Sequence, residues 1–74
     1  MKRYILEKEG QDDKVFEIKY RKNSDWPMLW YQDTLVGTMI SEEECRRVAW
    51  SYLVGLGLNP EPLTDKDFKE IDND

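Results

Sequence analysis

The chain has 74 residues, 36% of them charged, with a formal net charge of −5. A chain this short buries only about 60% of the surface it exposes when unfolded, so it makes one domain with a thin core. The single cysteine excludes an internal disulfide, and with no histidine and no cysteine cluster there is no zinc site of the usual kind.

Small scaffolds without such staples lean on a partner chain, and a homodimer or a stabilising protein partner is expected here. The longest unbroken apolar run, Met28-Leu29-Trp30-Tyr31, falls far short of a membrane span. No apolar stretch of signal-peptide length follows Met1-Lys2-Arg3, and with one unpaired cysteine the expected location is the cytoplasm. Charge is unevenly placed: residues 1–22 are net +2, residues 23–58 net −3 and residues 59–74 net −4. A net acidic chain is repelled by phosphate backbones, which argues against nucleic acid as the main partner.

Taken in order, residues 2–9 and 14–22 read as a β-hairpin. Phe16, Ile18 and Tyr20 alternate with Glu17, Lys19 and Arg21, the period of a half-buried strand. Gly10-Gln11-Asp12-Asp13 supplies the turn. Met28–Gln32 and Leu35–Ile40 form a second hairpin, turning at Asp33-Thr34, with Gly37 at a bulge or a close approach. A helix from Trp26 to Val36 is the rival reading; the β-favouring Trp30, Tyr31, Val36, Thr38 and Ile40 tip the balance towards strands.

The main helix spans 42–57. Ser41 is its N-cap and Glu44 the return partner of a capping box, with Ile40 and Cys45 as a hydrophobic staple. Glu42 with Arg46, and Glu43 with Arg47, are i,i+4 pairs. Cys45, Val48, Ala49, Tyr52, Leu53 and Leu56 make one apolar face. Gly57 suits the left-handed position past the last turn, Leu58 folds back on Leu53, and Pro60 blocks continuation. Thr64 caps one further short turn, with Phe68 and Ile71 burying an edge. Residues 72–74 read as a disordered tail to a single domain of residues 1–71. The expected fold is therefore α+β: a small, mostly antiparallel sheet of two hairpins, about four strands, packed by one helix.

Signals for catalysis are sparse, and the chain reads as a non-enzyme without cofactor or metal. The commonest general base is missing, and Cys45 lies in the apolar stripe beside glutamates that disfavour a thiolate. Asp65, Asp67 and Lys69 begin like a calcium loop but put Lys at the third ligand position. Gly55-Leu56-Gly57 ends a helix, whereas a phosphate-binding loop begins one.

Aromatic surface remains. Trp50 and Val54 point off the helix stripe on the side of Arg46 and Arg47, where they either meet the C-terminal segment or meet a partner. One helix covers only one face of a sheet, so the other face carries some of Ile5, Val15, Leu29 and Tyr31, or Trp30 instead, according to register. Trp26, Trp30, Tyr31, Arg46, Arg47, Trp50 and Val54 are the candidate contact residues. The leading expectation is a small acidic protein-binding module, an inhibitor or adaptor of the kind carried by phages and mobile elements, with another protein or a second copy as partner. One alternative is a homo-oligomer that sequesters a small anionic ligand or nucleotide, with Arg46 and Arg47 holding charge and Trp50 or Tyr31 stacking. A second is a nucleic-acid mimic built on Glu42–Glu44 and the acidic tail. A third, weaker for the net charge, is RNA binding by Lys14, Lys19, Tyr20, Arg21 and Lys22.

Overall fold

The computed structural model describes all residues except 1, 9, 11, 12, 59, 73 and 74, with the backbone alone for Lys2 and Asp72. Five strands form one antiparallel sheet: β1 (Lys2–Leu6), β2 (Phe16–Tyr20), β3 (Pro27–Tyr31), β4 (Thr34–Thr38) and β5 (Phe68–Asp72). Their spatial order is β4-β3-β2-β1-β5. Helix α1 (Glu42–Gly55) carries the chain from the β4 edge towards the β5 edge and lies over β2 and β3.

The period-two pattern of β2 decides which face is covered. Phe16 and Ile18 point at the helix, and the ladders bring Tyr4 opposite Ile18, Tyr31 opposite Phe16 and Leu29 opposite Ile18. Cys45, Ala49 and Leu53 of α1 press onto this layer, all with no exposed surface, and Leu6, Leu63 and Phe68 extend the core towards β5. Phe16, Tyr31 and Tyr52 stack at one end, with centroids 4.8 Å (Phe16–Tyr31) and 5.0 Å (Tyr31–Tyr52) apart.

The helix ends follow their local chemistry. The Glu44 N–H donates to Ser41 Oγ at 3.2 Å, and Ser41 itself is extended. Gly57 adopts φ +86, and the Gly57 and Leu58 N–H groups donate to Val54 and Leu53 carbonyls, the two bonds of a Schellman stop. The last helical residue is Gly55, two short of the expected 57.

Three local expectations give way to tertiary contacts. Ile40 is 76% exposed and makes no staple; Met39 packs on the core in its place, because its N–H continues the strand ladder by donating to the Pro27 carbonyl. Glu42 turns from Arg46 and accepts a hydrogen bond from the Tyr20 hydroxyl, tying α1 to β2, while Glu43 and Arg47 do pair at 3.7 Å. Residues beyond the short turn, Asp65–Asp67, form a fifth strand: β5 satisfies the edge of β1, with Phe68 opposite Leu6 and Ile71 opposite Arg3.

Asp72 therefore belongs to the sheet, and of the expected tail residues 73 and 74 lie outside the described residues. The second hairpin forms as strands, excluding the helix reading, but it turns at Gln32-Asp33, one residue early. Gln32 has φ 54, a left-handed conformation that costs a non-glycine residue. Val36 is the extra residue of a bulge opposite Trp30, and a Cβ on Gly37 would meet Met39 Cε at 3.1 Å.

Leu29 sits at the middle of the covered face with no exposed surface. Leu29→Ala is expected to cost about 2–5 kcal/mol in urea unfolding, enough to leave much of so small a domain unfolded.

Candidate functional site

The seven sequence-selected residues fall in four places. Tyr31 belongs to the covered face, stacked on Phe16 and Tyr52, and is part of the core's edge. Val54 is 42% exposed near the end of α1, where Tyr52 and Leu56 are exposed as well. Arg46, Arg47 and Trp50 line a groove of about 500 Å³ between α1 and the segment that includes Pro62, Leu63 and Thr64. Trp30 and Trp26 lie on the opposite side of the sheet.

In the groove, Trp50 is not a free anchor. Its Nε1–H donates to the Pro60 carbonyl at 2.9 Å and its ring packs on the core cluster, so the segment after the helix folds over it. Glu43 and Asp65 line the same groove as the two arginines, which balances its charge. A cleft of this kind has no strong preference for an anion.

The helix-free face is built by strand register. Residues directly opposite in a ladder share a face, so the pairs fix three rows that run across the strands. One row reads Leu35, Trp30, Glu17, Ile5, Lys69, and the next reads Thr38, Met28, Lys19, Arg3, Ile71. Beyond β3 and β4 the ladder continues through the Met39–Pro27 bond, setting Trp26 opposite Ile40 at the end of the same face. Trp26 is 60% exposed, Ile40 76% and Leu35 41%. Trp30 is half-buried, and its indole N–H is enclosed without an acceptor.

Polar groups occupy the middle of the face. Glu17 Oε2 lies 2.6 Å from Arg3 Nε, off the hydrogen-bonding angle, and 3.7 Å from Lys19 Nζ. Lys19 Nζ also sits 4.9 Å above the Trp30 ring, a cation–π contact. Arg21 Nε donates to Met28 Sδ at 3.3 Å, which covers that thioether and leaves Met28 only 8% exposed. Ile40, Leu35 and Met28 were missing from the sequence-selected set. The alternation Trp26, Met28, Trp30 was visible, but a strand pattern names two faces without saying which one the helix takes.

Chemically, the site offers apolar contact and charge. Cys45 is fully buried, and burial with the neighbouring Glu42 and Glu44 pushes its thiol up to about 12. Burial and the Glu42 carboxylate also raise the Tyr20 hydroxyl. Among the described residues no three His, Cys, Asp or Glu side chains gather as metal ligands do, and no helix is long and apolar enough to cross a membrane. Comparison with protein-family models, curated proteins and solved structures gave no match.

Two outcomes follow from these contacts. A thiol whose folded pKa lies above its unfolded value contributes stability that is complete below about pH 9 and lost as pH rises towards about 12. The urea midpoint should therefore be flat from neutral pH to about 8.5 and fall above about 9. Cys45→Ala should flatten the first part of that fall, and native Cys45 should resist a thiol reagent that labels the unfolded chain at once. Trp50→Phe should cost about 0.5–1.5 kcal/mol for the lost bond to Pro60, read by urea unfolding, with amide shifts on the helix-free face unmoved.

Proposed function

We propose that the protein is a non-catalytic, protein-binding module, an inhibitor or adaptor working in the cytoplasm, and that it docks through the helix-free face of its sheet. One observation carries the reading. Among the described residues the two most exposed large apolar side chains are Trp26 and Ile40, which the Met39–Pro27 bond sets opposite each other just past the end of the β3–β4 ladder, and Leu35 and Trp30 lie on the same face.

Single exposed apolar residues are ordinary, but several on one face with a half-buried tryptophan are the composition of an interface centre. Trp26 has two free torsions and a large ring, so it offers contact area at small cost in entropy. The arginines of the groove are balanced by carboxylates and Trp50 is already engaged, which makes that side the weaker candidate.

Trp26 and Ile40 support little of the fold, so their loss separates binding from folding. The double change Trp26→Ala with Ile40→Ser should leave the urea midpoint within about 0.5 kcal/mol of the parent. The same variant, used as bait in its native host cell, should lose a partner that the parent and Val54→Ala both retain, with about 2 kcal/mol or more of affinity gone once that partner is purified. Equal retention by all three baits would place the contact elsewhere or nowhere.

A further inference from the structure

The helix-free face is divided by charge as well as by hydropathy. Leu35, Trp30 and Met28 carry no charge on β4 and β3, whereas Glu17 and Lys19 of β2, Arg3 of β1 and Lys69 of β5 stand among the apolar Ile5 and Ile71. On this face of β2, β1 and β5 the cations Lys19, Arg3 and Lys69 outnumber the carboxylate of Glu17, with Arg21 one residue past β2 and Glu7 one residue past β1, in a chain whose net charge is −5. Glu17 already holds Arg3 and Lys19. Among the described residues Arg21 and Lys69 make no ion pair, and they stand on either side of that cluster, Arg21 just past the end of β2 and Lys69 on β5.

We propose that this face takes an acidic polypeptide segment of a partner protein, its apolar side chains on Trp26, Leu35 and Ile40 and its carboxylates over Arg21 and Lys69. The assignment rests on the protein-binding reading above and names the chemistry of the partner. Five strands span roughly 19 Å, which an extended segment of about six residues or a helix of about thirteen crosses, so one short amphipathic element reaches both halves.

Charge decides among the occupants. A second copy docked face to face would set four cations against four cations. A single-stranded nucleic acid would find only Arg21 and Lys69 unpaired on this face, because Glu17 engages the two central cations, and its long run of phosphates meets a chain whose net charge is −5. An acidic segment meets Arg21 and Lys69 without displacing either pair, and its attraction to a basic patch on an otherwise acidic surface fixes its direction.

The test uses the full chain and three peptides of about twelve residues that share a Trp-free apolar half and carry glutamates, glutamines or lysines in the other half. Affinities come from tryptophan fluorescence, and amide shifts report the face. The glutamate peptide should bind about tenfold tighter than the glutamine one, with the lysine peptide weakest, and the difference should vanish near about 0.5 M salt. Arg21→Glu with Lys69→Glu, confirmed folded by its dispersed amide spectrum, should reverse the order.

Equal binding by the peptides, or binding by none, overturns the acidic segment and leaves the protein-binding reading to its own bait experiment. Tighter binding of a short oligothymidylate on these residues, or self-association on concentration that shifts the Trp26 and Ile40 amides, overturns it in favour of nucleic acid or of a second copy.

Discussion

The seam in which Cys45, Ala49 and Leu53 of the helix close over Phe16, Ile18 and Leu29 of the sheet is as much dry interior as this chain has room for. One helix of fourteen residues is about 21 Å long and about 10 Å wide with its side chains, enough to cover two strands of five. The remaining strands on that side are closed by Leu6, Leu63 and Phe68, which explains why the chain doubles back after the helix to add β5. Among the described residues no further element is left for the other side. The apolar groups there follow from the same shortage of covering elements, whatever use is made of them.

The two sides differ in kind. On the covered side, polar groups serve to join elements: the Tyr20 hydroxyl reaches Glu42, and the Trp50 indole reaches the Pro60 carbonyl. On the open side they sit in the plane of the sheet as an Arg3–Glu17–Lys19 cluster beside Trp30. Arg3 Nε and Glu17 Oε2 are enclosed while Lys19 stays part-exposed, and the cluster helps set the sign of the surface. A chain that is acidic as a whole thereby carries an excess of cations on the open face, beside the apolar residues of β3 and β4.

The reach of local pattern varies from element to element. The helix was legible because its start and stop depend on neighbours within a few residues, Ser41 with Glu44 and Gly57 with Leu53 and Val54. β2 was legible because three alternate positions are buried or half-buried on one side. β5 was not: Phe68 and Ile71 suit a helical turn as well as a strand, and the edge of β1, distant in sequence, settles the matter by offering unpaired backbone groups. The Ile40 staple failed for a similar reason. The ladder to β3 runs one step past Thr38 and rotates Met39 inward, which sends Ile40 out.

By itself the sequence determined an acidic α+β domain with a capped amphipathic helix, two hairpins and more aromatic rings than a thin core can enclose, since each of these depends on composition or on spacing along the chain. Only the tertiary structure decided where those rings go. Strand register assigned Tyr31 to the interior and Trp30 to the open side, and the return of residues 60–65 along the helix took Trp50 out of contention. Register and chain return join residues far apart in sequence, and no local period encodes which of two strand faces a helix will choose to cover.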